Sequence, residues 1–176
     1  HKYRSINADS GLKYSHRALE LSITLKNQSN IAEAYKNIGA TYWRMGIYDI
    51  GLENSLKALD IFESLKDSTG IAKVKNNIGL IYLARSQYDK AVRYLNESMS
   101  ISRKRKNLLE VGRPQLNLGI IYYQLNEFDK AVDYHYKSLE NLKDTFTFLT
   151  PHNYCFLGKC YIELGKKDSA RYFLKR

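Results

Sequence analysis

The chain has 176 residues and is poor in the residues that interrupt helices or build special sites: two prolines, two cysteines, two methionines and one tryptophan. Scarce proline leaves helices uninterrupted, because each proline removes a backbone donor and clashes with the preceding turn. Cys155 and Cys160 are five positions apart, so on a helix they project roughly 140° from each other and cannot bridge within it. That argues against a disulfide framework and does not identify the compartment: cytoplasm and an extracytoplasmic location both stay open. No apolar run approaches the roughly 18 residues that a membrane span needs, and the first residues carry no apolar signal-peptide segment.

What is present points to helices. The chain is 44% hydrophobic and 26% charged, the balance of a soluble globular protein. Leu, Lys, Glu, Ala and Tyr are abundant, which favours a mostly helical fold. Lys and Arg number 28 against 18 Asp and Glu, a net charge of +10. Such an excess steers acidic partners, nucleic acid or anionic membranes, or simply solvates a surface. The densest run, Arg103-Lys104-Arg105-Lys106, falls where a helix should end, and cations there complement the helix dipole.

Internal similarity organises everything else. Lys36-Asn-Ile-Gly-Ala-Thr-Tyr42 aligns with Asn76–Tyr82, Leu116–Tyr122 and Cys155–Tyr161. Gly39, Gly79, Gly119 and Gly158 step by 40, 40 and 39, and Tyr42, Tyr82, Tyr122 and Tyr161 keep the same step. Asp49, Asp89, Asp129 and Asp168 do so as well, each opening a second helical run. Ala18, Ala58, Ser98 and Ser138 repeat at 40 within that second run.

Each unit reads as a helical hairpin. Tyr35, Ile38, Gly39 and Tyr42 recur at i, i+3, i+4, i+7, one face of a first helix. After the break at Met45–Tyr48, Asp49 suits the orphan N–H groups of the next helix, which carries Leu52, Ser55, Leu56, Leu59 and Phe62 at helical spacing. Small residues are expected to face each other across the hairpin: Gly39 with Gly51 and Ala58, Gly79 with Ala91 and Ser98, Gly119 with Ala131 and Ser138.

The N-[IL]-G-x-x-Y pattern, the pairs Tyr48-Asp49, Tyr88-Asp89 and Phe128-Asp129, and the small residue two positions later resemble the tetratricopeptide repeat family over nearly the whole chain. The usual period of that family is ~34, so a step of 40 resembles its long-repeat branch, which includes kinesin light chains, polarity adaptors and sensor segments of bacterial signalling proteins. The resemblance implies an all-α, right-handed superhelical solenoid of helix-turn-helix hairpins. Its expected divisions are a partial unit 1–28, full units 29–67, 68–106 and 107–145, and a partial unit 146–176. Lys66–Gly70 is expected as a turn between units. Ser86 and Asn126 stand at the turn position of Gly46 and Gly165, and Lys167 replaces the aromatic before Asp168. Asp144–Pro151 breaks the pattern with Phe146, Phe148 and Leu149, and Thr150-Pro151 reads as an N-cap and first helical position. His1–Ile6 is expected to end a first helix whose partner begins near Asp9. With both ends falling inside a repeat, a fragment of a longer protein is expected.

In this family the first helices line the concave face, so the resemblance implies a partner surface there. Its candidate residues are Lys36, Asn37, Trp43 and Arg44 in one unit, Lys73, Asn76, Asn77, Leu80 and Leu83 in the next, and Arg113, Asn117, Ile120, Tyr123 and Gln124 in the third. Asn37, Asn77 and Asn117 form a column one repeat apart, and an amide's two donors and one acceptor suit the backbone of an extended peptide as well as bonds within the repeat. Leu80, Leu83, Ile120 and Tyr123 are either seam packing between first helices or an apolar partner patch. A carboxylate clamp needs Lys and Asn one turn apart; Lys36 is followed by Ala40 and Asn76 by Leu80, which speaks against it.

His152 and Cys155 are neighbours at i, i+3, but a structural zinc needs about four ligands and nothing nearby completes the set. Cys160 aligns with Ile81 and Ile121 and reads as core. The glycines follow repeat packing, not a phosphate loop, and no nucleophile and base are placed together, His16 and His135 being scattered. The expectation is therefore a non-catalytic scaffold, without metal, cofactor or small-molecule substrate, that binds a peptide or protein segment in its groove as the sensor or adaptor part of a signalling protein. The alternative is a nucleic-acid-binding helical repeat that uses the basic surface, and the exposed repeat ends are also expected to allow self-association.

Overall fold

The computed structural model describes residues 2–142 and 149–175, with side chains from residue 11 onward. Among these the secondary structure is helical throughout: α1 (Lys2–Thr24), α2 (Gln28–Met45), α3 (Tyr48–Ser64), α4 (Ser68–Ala84), α5 (Tyr88–Lys104), α6 (Leu108–Gln124), α7 (Phe128–Leu142), α8 (Leu149–Glu163) and α9 (Lys167–Leu174). None of the described helices is long and apolar enough to cross a membrane.

The helix ends repeat more tightly than the sequence units. Lys26, Gly46, Lys66, Ser86, Lys106, Asn126 and Gly165 all have positive φ, between 52° and 80°. At each one the chain closes in the same way. Lys66 N–H donates to Glu63 C=O at 3.1 Å and Asp67 N–H to Phe62 C=O at 2.9 Å, the paired bonds that satisfy a helix's last carbonyls. The next residue then starts a new helix. Asn27, Asp67 and Asn107 accept from the backbone N–H of Asn30, Thr69 and Glu110 at 3.1, 2.9 and 3.1 Å, side-chain caps 40 residues apart at the first helices of the hairpins. The expected turn Lys66–Gly70 is thus shorter, since α4 has already begun at Ser68. Arg103 and Lys104 do occupy the last turn of α5.

Residues 1–94 form one compact unit. In it α2 packs between α1 and α3, α3 also packs on α4, and α2 touches α4. Its core joins Ala32, Ala58, Leu59, Phe62, Val74 and Ile78. Phe62 is fully buried, worth about 1.5–3 kcal/mol relative to exposure. Its ring packs against Gly70, where a Cβ would sit 2.3 Å from it. The hairpin contact is closest at Gly39, whose added Cβ would meet Ser55 Oγ at 2.5 Å and Gly51 C=O at 2.9 Å. Gly51 is therefore the expected partner of Gly39, but Ala58 is not: Ser55 faces the glycine, and Ala58 points into the core cluster. Leu56, expected on the buried stripe, is 43% exposed. The N-terminal expectation also changes, because α1 is one helix from Lys2 to Thr24 with no new start near Asp9.

Residues 95–176 form the second compact unit. Here α6 packs on α7, α7 on α8 and α8 on α9, while α6 touches α8. Leu116, Leu142 and Leu149 form a core with Leu109 and Ile120 against it. Helix α8 already begins at Leu149, so Thr150 and Pro151 lie inside its first turn, where proline's missing N–H has no helical partner to lose. The expected connector residues Asp144–Phe148, Phe146 among them, lie outside the described residues. Cys160 is fully buried, and that burial pushes its thiol up to about 11; Cys155 is exposed and both are free thiols.

Candidate functional site

The candidate partner face is built on the first helix of each hairpin, opposite the glycine that seals the hairpin. In the first unit α2 and α4 carry it. Asn37, Arg44 and Lys73 are exposed, while Trp43, Asn76, Asn77, Leu80 and Leu83 are half-buried. Ala40, Trp43, Asn77 and Leu80 come together with Ile81 around a narrow crevice of about 10 Å³ between the two helices. Arg44 donates to Thr41 Oγ1 at 3.2 Å, which ties its guanidinium to the end of α2. Lys36 is turned inward, its side chain 14% exposed and paired with Glu33. Lys75 is likewise mostly buried and paired with Glu63 at 4.0 Å, so the positive character of this face comes from Arg44 and Lys73, the exposed cations of α2 and α4.

In the second unit Arg113 and Gln124 are exposed. Ile120 packs on the core of Leu116, Leu142 and Leu149. Tyr123 lies between Phe128 and Phe156, with ring centroids 5.6 and 5.8 Å away. Its phenol is raised above the usual range, first by burial and then by the Glu163 carboxylate. Both Ile120 and Tyr123 pack on the neighbours of α6 and stay half-buried. The asparagine column is graded: Asn37 is exposed, Asn77 half-buried, and Asn117 only 7% exposed.

The second unit also holds a buried polar cluster between α7 and α8. His135 on α7 is fully buried, stacked on Phe156 at 5.3 Å. Its Nδ1 lies 2.9 Å from Asn153 Oδ1, while Asn153 Nδ2 donates to Ser138 Oγ at 3.0 Å and to Leu149 C=O at 3.2 Å. Ser138 Oγ in turn donates to Gly112 C=O at 2.8 Å. With the amide's donors used, Nδ1 must carry the imidazole proton, and Nε2 is left as a buried acceptor without a partner among the described residues. Burial drives the imidazole down to about 4, against the opposing pull of the Asn153 bond. A Cβ at Gly119 would sit 2.6 Å from Nε2, so His135 faces Gly119, a contact the small-residue pattern does not include. The signal was present in the repeat: Ser55, Leu95, His135 and Leu174 share one column, and Asn153 stands where Val74 does.

Cations of the second helices are committed to their own surface. Lys57 pairs with Glu53, Lys130 with Glu127 and Lys137 with Asp133. Lys90 and Lys130 also lie over the Tyr82 and Tyr122 rings, each of which stacks on a second tyrosine, Tyr94 or Tyr134, at 5.5 and 5.2 Å. Among the described residues there is no cluster of three or more His, Cys, Asp or Glu that could hold a metal ion.

Comparison with known proteins completes the picture. A profile described as tetratricopeptide repeat matches residues 30–104 and 70–144, and a second profile with the same description matches 151–176. No curated protein sequence matches the chain significantly. Among solved structures it is similar to BtubC (BKLC) from P. vanneervenii, with a TM-score of 0.80 at 20% identity over 97% of this chain and 71% of that one. It is also similar to a Rap protein complexed with Competence and Sporulation Factor, TM-score 0.89 at 16% identity over 99% of this chain and 49% of that one. The Rap conjugation gene regulator of the plasmid pLS20, in complex with the Phr* peptide, gives a TM-score of 0.87 at 15% identity over 99% and 48%. The chain thus spans about half the length of the Rap structures. These likenesses carry the all-α helical-repeat fold.

Proposed function

This chain belongs to the tetratricopeptide repeat family, whose members serve as protein-interaction scaffolds, and from that premise we propose that it holds a peptide or protein segment against the first helices of its hairpins, as the non-catalytic sensor or adaptor part of a larger signalling protein. The repeat divisions at 29–67, 68–106 and 107–145 belong to the same proposal. The observation that carries it is the α2–α4 face. There the half-buried Asn77 amide and Leu80 meet the half-buried indole of Trp43 around the crevice, and Asn37, Arg44 and Lys73 are exposed on the same two helices. Such a surface suits an acidic segment. Asn37 and Asn77 bond its backbone, Trp43 and Leu80 cover an apolar side chain, and Arg44 and Lys73 meet its carboxylates. Solved neighbours of the Rap type, one in complex with the Phr* peptide, support a peptide as the partner class. The second-helix lysines, already paired and lying over tyrosines, offer no comparable surface to nucleic acid.

The test is a selection from a random peptide library, followed by titration of the enriched peptide against variants. Enriched peptides should be acidic. Trp43→Ala should weaken binding about tenfold or more, as a buried aromatic anchor does. Asn37→Ala and Asn77→Ala should each weaken it roughly two- to tenfold, the range of one hydrogen bond. Lys90→Ala on α5 should leave affinity unchanged. Loss of binding with Lys90→Ala while Trp43→Ala and both asparagine variants bind normally would refute the reading.

A further inference from the structure

Building on the docking of an acidic segment described above, we propose that Ala40 sets the size of the side chain that the α2–α4 face accepts. The crevice beside it takes a single methyl group, so the anchor residue of the segment is alanine. Ala40, Leu80 and Ile120 step by 40 through the first helices. A branched side chain in that column fills space between elements: Ile120 lies against the cluster of Leu116, Leu142 and Leu149. On α2 the same position holds only a methyl and is half-buried. Beside it lies the crevice of about 10 Å³, bounded by Ala40, Trp43, Asn77, Leu80 and Ile81.

The walls of this crevice are fixed. A Cβ on Gly51 would meet Gly39 C=O at 3.1 Å and the Trp43 backbone nitrogen at 3.2 Å, so α3 pins the stretch of α2 that carries Ala40 and Trp43. Across the crevice Ile78 and Ile81 are fully buried and hold α4 in place. Interiors packed in this way do not open to admit a longer side chain. A volume of about 10 Å³ is the room of one water molecule, and a methyl group is of similar size. Water itself is a poor occupant. It needs roughly two to four polar partners, and this lining is mostly apolar, with Asn77 as its one amide. Glycine would leave the space unfilled, while valine, leucine or phenylalanine would overfill it. Arg44 and Lys73, exposed on the same two helices, complement acidic residues on either side of the anchor.

The experiment is a selection on the whole chain from a library of short peptides that carry Asp or Glu at alternate positions and any residue between them. Wild type should enrich peptides with alanine at one of the open positions. An enriched peptide is then labelled and titrated by fluorescence anisotropy, as selected and with that alanine replaced by glycine, valine or leucine. Emission of Trp43, the one tryptophan of the chain, should change on binding. Glycine should weaken binding about fourfold, the worth of one buried methyl group. Leucine should weaken it at least about tenfold. Ala40→Leu, which gives α2 the residue that the repeat has at Leu80, should lose the preference for alanine over glycine. Ala40→Gly is the second variant and should bind the valine peptide more tightly than wild type does. Circular dichroism checks that both variants keep their helices. Alanine and leucine peptides bound equally by wild type, or an alanine preference unchanged in both variants, would overturn the proposal and leave docking on α2 and α4 standing. Failure of every acidic peptide to bind, or Trp43 emission unchanged at saturation, would remove that docking and the proposal together.

Discussion

Lowering the pH should unfasten the second unit through His135. The imidazole is held down to about 4 by burial, against an ordinary value of about 6.5. Its folded-state value is depressed, so above pH 6.5 it is neutral in both states and costs nothing. As pH falls from 6.5 towards 4 the unfolded chain takes up a proton that the folded chain refuses, and stability drops. Linkage gives a loss of about 2 kcal/mol at pH 5 and about 3 kcal/mol at pH 4, levelling off below. Carboxylates titrate in the same window, so the measurement has to be a difference. The reference is the double variant His135→Leu/Asn153→Val, which restores residues the repeat already uses at those positions, Leu95 and Leu174 in one column and Val74 in the other. The pairing is sterically precedented, since Gly158 already meets Leu174 in the way Gly119 meets His135. His135→Leu alone would strand the Asn153 carbonyl, at a cost of about 1–3 kcal/mol. Urea unfolding at pH 7, 6, 5 and 4, followed by amide signals from residues 108–142, should show wild type losing about 3 kcal/mol more than the double variant between pH 7 and 4. Parallel profiles would refute the buried, singly protonated imidazole and the tautomer assigned to it.

Two further substitutions test the fold's recurring devices. Gly39→Ala should destabilise the first unit by about 1–3 kcal/mol in denaturant titration, because its methyl would meet the Gly51 backbone at 2.9 Å and Ser55 Oγ at 2.5 Å. An unchanged midpoint would mean that the hairpin is looser than described. Lys66→Gly should stabilise the chain by roughly 0.5–1 kcal/mol, since Lys66 sits at φ 54° and glycine takes that conformation without the Cβ penalty. A loss of stability would show that the lysine stem contributes packing that outweighs the strain.

Periodicity made the architecture legible because helix position and helix period are properties of a few residues in sequence. The column of Gly39, Gly79, Gly119 and Gly158 marked the first helices, and Asp49, Asp89, Asp129 and Asp168 each stand at the second residue of a following helix. The left-handed turns at Ser86 and Asn126 were also readable from their alignment with Gly46 and Gly165. What failed depended on the neighbour across a contact. Ala58 and Ser55 lie on adjoining faces of α3, and only the crossing of α2 decides which meets Gly39. Leu56 has the spacing of a core residue but lies beyond the edge of what α2 and α4 cover. His135 looked isolated because Asn153 reaches it from 18 residues later in sequence and is itself held by Ser138, through bonds no local pattern announces. The candidate face was legible as a set of positions, but not in its gradation: Lys36 turns in to Glu33, and Asn117 is buried where Asn37 is exposed.

The central claim is that the first-helix surface of α2 and α4 receives the partner. Mapping backbone amide shifts on titration with a selected peptide tests it most directly. The account predicts perturbations concentrated around Asn37, Trp43, Arg44, Lys73, Asn77 and Leu80, with the outer residues of α3 around Asn54 and Lys57 unmoved. Perturbations centred on those α3 residues, with α2 and α4 silent, would contradict it.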